Sequence, residues 1–182
     1  MDIFSIIEKY YAPGSQSHFY MVEHGKAVAN KALQIAARLS HKNPDRRFIE
    51  EAALLHDIGI FLTNFPKIGC FGAHPYISHG YLGRELLEKE GLPAHALVCE
   101  RHVGVGLTID DINRNLFPLP LRDMSPQSLE EKIVCFADKF YSKDKSTLTI
   151  ARPIPKVREM VVRYGVNKLK QFDEWMILFD ES

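Results

Sequence analysis

Apolar residues recur at three- and four-residue spacing along almost the whole chain, which is the period of amphipathic helices. Ile3 to Tyr10 reads as a short helix stopped by Pro13-Gly14. A long helix is expected over about 17–40, with Ala27, Val28, Ala32, Ile35, Ala36 and Leu39 on its apolar stripe. His24 lies on that stripe, one turn before Ala27 and Val28. Asn43-Pro44-Asp45 is a break followed by a cap, and a helix over about 46–58 carries Ile49, Ala52, Ala53 and His56 on one face, with Gly59 as its stop. Residues 60–74, with Pro66, Gly69 and Gly72, read as a loop. Further helices are expected at about 75–89, 93–102, 108–113, 128–141, 154–164 and 166–179, the last two split at Gly165. Ser125-Pro126 or Ser128 caps the 128–141 helix. Residues 114–125 and 142–152 are irregular, and no strand pattern stands out. The prediction is an all-α fold of seven to nine helices in a single domain, 1–182.

Length and composition suit that picture. The chain has 182 residues, 46% hydrophobic and 25% charged, near the averages of globular domains. Its 23 basic and 23 acidic residues balance, which argues against a non-specific nucleic-acid binder and against a charged disordered tail. Three cysteines, Cys70, Cys99 and Cys135, form no C-x-x-C pair, so the natural setting is a reducing cytoplasm. The stretch Met1 to Lys9 lacks the marks of a signal peptide, and no apolar run approaches the roughly 18 residues of a membrane span.

The eight histidines change the picture. His24 lies on the long helix, His56-Asp57 ends the next one, His79 opens another, His102 ends the helix after that, and Asp138 sits near the end of the 128–141 helix. Each has an ordinary structural alternative. His24 could be a hydrogen-bonded core histidine, His56-Asp57 a helix end beside a surface acid, and His79 an exposed turn residue. Asp138 could pair with Lys139 or Lys143, and His102 could form a surface pair with Arg101. Together, carboxylates and imidazoles on apolar helix faces need a partner, because an ionised Asp against an apolar face is costly. A divalent metal accepts both ligand types.

The run Ala52-Ala53-Leu54-Leu55-His56-Asp57-Ile58-Gly59 resembles the central motif of the HD-domain superfamily, all-helical metal-dependent phosphohydrolases with the order H…HD…D. His24 matches the first histidine of that order and Asp138, in Phe136-Ala137-Asp138-Lys139, the last aspartate. His79 in His79-Gly80-Tyr81-Leu82-Gly83 and His102 in Arg101-His102-Val103-Gly104 match the two extra histidines of the HDIG-type dinuclear branch. The pattern is similar to that of bacterial HD-domain hydrolases of symmetric dinucleoside tetraphosphates. It covers about residues 18–143 and leaves the helices over 154–180 without a counterpart.

The resemblance implies one metal on His24, His56, Asp57 and Asp138, and a second on Asp57, His79 and His102, with Asp57 bridging. The metals implied are iron, manganese, cobalt or zinc. A hydroxide shared between them would attack phosphorus in line. Asp57, Lys139 and Arg101 are the catalytic candidates. Lys139 and Arg101 adjoin ligands and would hold phosphate, with Lys143 and Arg84 as further cations. Where many relatives carry a lysine after HD-x-G this chain has Ile60, so the phosphate clamp must come from elsewhere. No G-Y-P follows a second HD-like element, which separates the chain from the cyclic-di-GMP-cleaving branch.

The expected function is metal-dependent hydrolysis of a nucleotide or other small phosphate ester in the cytoplasm, with neither membrane nor nucleic acid as partner. Two other functions fit the same residues: a diiron HD-domain oxygenase and a non-catalytic nucleotide sensor. Of the remaining residues, His18 reads as surface or as lining the cleft mouth, His41 and His95 as surface, and Phe61 to His74 as a possible lid. Trp175, with Phe172 and Phe179, reads as a packing cluster. Residues 114–121 and the last helices could meet a second copy or pack within the monomer.

Overall fold

Helix-cap chemistry sets most of the observed boundaries. The computed structural model describes residues 2–181, and among these the helices are α1 (Ile3–Tyr10), α2 (Gln16–Arg38), α3 (Arg46–Leu55), α4 (His79–Lys89), α5 (Pro93–Arg101), α6 (Ile109–Asn115), α7 (Leu129–Asp138), α8 (Ile154–Val161) and α9 (Val166–Leu178). The fold is all-α. The side chains of Asp2, Ser15, Asp45 and Ser128 accept from the first amides of α1, α2, α3 and α7. Thr108 and Asp111 make a reciprocal capping box on α6. Ser128, rather than Ser125, caps α7.

The core forms where α2, the longest helix, lies against α3 and α7. Small residues let the axes approach: Ala32, Ala52 and Ala53 are wholly buried among Val28, Ile35, Ile49, Ile133 and Phe136. Phe172 and Trp175 of α9 and Phe179 just after it join this cluster, and the Phe172 ring stacks on Phe136 at 4.9 Å between centroids. A second apolar cluster seats α1 through Ile3, Ile6 and Ile7 against Leu54, Leu55, Ile58 and Leu87.

Four expectations need correction. Residues 60–74 contain a small antiparallel hairpin, β1 (Asn64–Phe65) and β2 (Cys70–Phe71), turned by Gly69 at φ 79°. Strands of two residues carry no alternation from which to be recognised. The helix expected from Pro75 starts at His79, behind a 3-10 turn over Tyr76–Ser78. The helix expected to reach Ile58 ends at Leu55, and a 3-10 turn follows from Ile58 to Leu62. His95 is buried, with its ring on Phe48 and Nε2 3.3 Å from Glu51.

Two polar contacts position the outer helices. Lys168 of α9 and Asp111 of α6 form a buried ion pair at 2.6 Å. Buried Glu100 of α5 accepts from Arg84 of α4 at 2.5 Å and from Arg122 at 2.8 Å. No described helix is long and apolar enough to cross a membrane.

Gly59 sits where the 3-10 turn meets α4. A Cβ there would collide with the His79 carbonyl oxygen and the Gly83 amide nitrogen, both backbone atoms. Gly59→Ala is therefore expected to cost about 3 kcal/mol, the upper end of overpacking, read as a lower urea midpoint. Lys168→Met, which strands the buried Asp111 carboxylate, is expected to cost about 3–5 kcal/mol in the same measurement.

Candidate metal centre

The ends of three helical segments aim three imidazoles at one point. His56 follows the last residue of α3, His102 follows the last residue of α5, and His79 follows the 3-10 turn. In each, ring Nδ1 donates to a backbone carbonyl three residues back: His56 to Ala53 at 2.7 Å, His79 to Tyr76 at 2.6 Å and His102 to Cys99 at 2.7 Å. At the ends of α3 and α5 such carbonyls lack helical partners, so the same bond satisfies the helix end and orients the ring, while the Tyr76 carbonyl also accepts from the His79 amide. A carbonyl can only accept, so Nδ1 carries a proton, and in the neutral ring Nε2 presents its lone pair inward.

Those lone pairs converge on Asp57, whose carboxylate is buried. Its Oδ2 lies 3.2 Å from both His24 Nε2 and His56 Nε2. Its Oδ1 lies 3.4 Å from His79 Nε2 and 3.5 Å from His102 Nε2. Asp138 Oδ1 closes the first group, 3.0 Å from His24 Nε2 and 3.5 Å from His56 Nε2. The six histidine and aspartate residues singled out in the sequence are thus brought together. Their donors include two compact sets, His24–His56–Asp138 and His56–Asp57–His102, each able to hold a metal ion.

The donor chemistry fits a cation. Among the described residues, Asp57 Oδ1 and His56 Nε2 are buried without a hydrogen-bond partner. His79 Nε2 and His102 Nε2 face each other at 3.0 Å, and their Nδ1 protons are already committed to carbonyls. Two lone pairs at that distance repel unless a positive charge or a proton lies between them. Burial opposes protonation of His79 and pushes it down to about 3, so a proton is a poor answer near neutrality. A metal accepts both nitrogens, and the carbonyl partners of Nδ1 are the outer support such ligands need.

Two lysines also balance the acids. Lys143 Nζ is 2.6 Å from Asp57 Oδ2, and Lys139 Nζ is 2.7 Å from Asp138 Oδ2 and 2.9 Å from the His102 carbonyl. Burial works against ionised carboxylates here, but without a metal ion Asp57 and Asp138 raise His56 to about 9, and this imidazolium with Lys143 holds Asp57 well below the usual range, while Lys139 and His24 do the same for Asp138.

Beside the acids and imidazoles opens a cleft of about 260 Å³. His79, His102, Asp138, Lys139, Lys143 and Arg152 form its polar lining. Phe65, Tyr76, Met160 and Tyr164 are among its apolar lining. Arg101 is not part of it: its guanidinium is held by both carboxylate oxygens of Glu131, at 2.9 and 3.0 Å. Arg84 is likewise taken up by Glu88 and Glu100. Adjacency to His102 misled because a side chain at a helix end departs in a different direction from its neighbour's. Arg152 escaped notice because it lies outside every motif. His74 is exposed, whereas Phe65 of the expected lid segment does reach the cleft.

Comparison with known proteins agrees with this geometry. The HD domain family model matches residues 21–142, which contain all six of these histidines and aspartates. A tRNA (cytidine(56)-2'-O)-methyltransferase of Picrophilus torridus is 35% identical over 114 residues, 62% of this chain and 30% of that protein. The same-named protein of Thermoplasma volcanium is 30% identical over 127 residues, 69% of this chain and 33% of its own length. An uncharacterised protein of Methanocaldococcus jannaschii is 36% identical over 121 residues, 65% of this chain and 64% of that protein. The chain therefore spans about a third of the two methyltransferases and just under two thirds of the third relative. No solved structure matches. With two thirds of its length matched and the His-Asp cluster assembled within that span, the chain belongs to the HD-domain family.

Proposed function

We propose that the protein is a metal-dependent phosphohydrolase of the six-ligand, dinuclear HDIG type, acting on a nucleotide or another small phosphate ester. The observation that carries this is the division of labour at Asp57. One oxygen faces His24 and His56, with Asp138 beside them, and the other faces His79 and His102. His24, His56, Asp57 and Asp138 would hold one divalent ion, and Asp57, His79 and His102 a second. The nitrogen-rich set suits iron, manganese, cobalt or zinc better than calcium. When bound, such a pair supplies Lewis acidity and activates water near neutral pH.

The chain's own groups do the rest. Lys139, Lys143 and Arg152 line the cleft with fixed positive charge, suited to a phosphate dianion. Arg152 donates to the neutral carbonyls of Lys139 and Tyr141, and among the described residues it forms no ion pair. Hydrolysis adds the oxygen of water to phosphorus, breaks the phosphorus–oxygen ester bond, and returns the proton to the leaving oxygen. Electrostatic stabilisation of the phosphoryl oxygens is the expected role of the three cations. Asp57 and Lys139 keep the roles expected of them, and Lys143 and Arg152 take the place expected of Arg101. The same six ligands would serve a diiron oxygenase, but the cationic lining favours an anionic substrate. Methyl transfer is not carried over, since about two thirds of each methyltransferase lies outside the match. We read the chain as one folded unit working in a reducing cytoplasm.

Protein purified anaerobically without a metal-binding tag is expected to carry about two transition-metal equivalents per chain, measured by elemental analysis. His79→Ala with His102→Ala should reduce this to about one, and Asp57→Ala should reduce it further. Retention of two after the double change would sink the dinuclear assignment. Phosphate release from a panel of phosphate esters and anhydrides tests the reaction itself; no release from any of them by metal-loaded protein would overturn it. With an active substrate in hand, Lys143→Ala and Arg152→Ala should each lower kcat/KM by about tenfold to a hundredfold, the effect of removing one charged hydrogen bond.

A further inference from the structure

The family match ends at residue 142, yet much of the cleft is built beyond it. Arg152, Met160 and Val161 and, in the turn after α8, Tyr164 line the same cleft as His79, His102 and Asp138. This segment is anchored at both ends. The Arg152 amide donates to the Phe140 carbonyl at 2.7 Å, and its guanidinium donates to the carbonyls of Lys139 and Tyr141. At the other end the Tyr164 ring lies against Gly104, two residues after His102: a Cβ on that glycine would be 3.4 Å from a ring carbon. Val157 and Val161 are buried in the main core and hold α8 down. Tyr164 stays 37% exposed and Met160 half-buried.

The cleft therefore has two halves of different chemistry. A phosphate group engages Lys139, Lys143, Arg152 and the metal ligands and leaves the apolar half unused. That half offers aromatic rings at Tyr164, Tyr76 and Phe65 and a pliable thioether at Met160. Flat polarisable faces and sulfur suit a planar ring better than an alkyl chain. At about 260 Å³ the cleft lies below the roughly 300–1,000 Å³ usual for drug-sized ligands. It has room for one base with its sugar phosphate.

We propose that α8 and the 162–164 turn form the specificity wall of this site: Tyr164, with Met160, contacts the base of a substrate the size of a nucleoside monophosphate, while Lys139, Lys143 and Arg152 hold its phosphate. This rests on the phosphate-ester reading of the cleft and assigns a task to a segment outside the family match.

The test is calorimetric binding to the metal-loaded full chain of two ligands whose carbon–phosphorus bonds resist hydrolysis, adenosine 5′-methylenephosphonate and ribose 5-methylenephosphonate. The wild type should prefer the adenosine compound by about tenfold or more, as expected for one stacked base. In Tyr164→Ala the ratio should fall toward one, and Tyr164→Phe, which keeps the ring, should retain it. A wild-type ratio near one, or an unchanged ratio in Tyr164→Ala, overturns the proposal. If Tyr164→Ala fails to fold, Met160→Ala supplies the same comparison, with a reduced ratio expected and an unchanged one overturning the wall. Phosphate release from AMP is assayed alongside. A base-dependent ratio without release keeps the wall and removes the hydrolase, whereas release with a ratio near one does the reverse.

Discussion

Everything at the centre of this protein depends on keeping one carboxylate charged inside an apolar core. Asp57 is about as buried as the leucines around it. Burial alone would drive its proton back on, and neighbouring cationic groups prevent this. The cost of such a group is met only where several partners point at it at once. Four helical segments and the residues after α7 are accordingly spent on surrounding it. The fold can be understood as the arrangement that lets α2, α3, α4, α5 and α7 each bring one polar group to the same few cubic ångströms.

That arrangement is economical because of where the histidines sit. A histidine in mid-helix has no spare carbonyl three residues back. At a helix end the carbonyl is already in need of a donor, so the imidazole gains a fixed tautomer from a bond the helix required anyway. His56 and His102 use this geometry after α3 and α5, whereas the Tyr76 carbonyl that orients the His79 ring also accepts from the His79 amide. His24, within α2, has no such support, and its Nδ1 is buried without a partner. Its orientation comes instead from Asp57 and Asp138 on its other side.

Much of this was legible in the residues and some was not, for physical reasons. α2, α3, α6 and α7 have side-chain caps at Ser15, Asp45, Thr108 and Ser128, so their existence follows from local rules. The six histidines and aspartates announce themselves because polar groups on apolar stripes demand partners. Cleft-lining residues obey no such local rule. Arg152 and Tyr164 become neighbours of His102 only when α8 folds back, a tertiary event with no signature in a short window. Arg101 shows the converse: it adjoins a ligand in sequence, but the nearer carboxylates of Glu131 capture it. The hairpin at residues 64–71 is too short to show a strand period, and backbone pairing rather than propensity creates it.

Ile60 and Lys143 belong together in this account. Both line a small hollow of about 10 Å³ beside Asp57, together with Tyr11, Tyr20 and Ile68. Ile60 packs there among Tyr20, Ile68, Cys70 and Leu148, an apolar nest in which a lysine ammonium would lose its hydration without gaining a new acceptor. Lys143 approaches the same region from the segment after α7 and places its ammonium on Asp57 directly, 5.9 Å from the centre of the Tyr76 ring. The cationic requirement near the HD pair is thus met from a different direction in the chain. Moving the charge to residue 143 also couples it to the C-terminal segment, because the stretch that carries Lys143 leads through Arg152 into α8. Lys139, Lys143, Arg152, Met160 and Tyr164 thus lie along the chain behind Asp138, while His24, His56, Asp57, His79 and His102 come from α2 to α5 and the turns beside them.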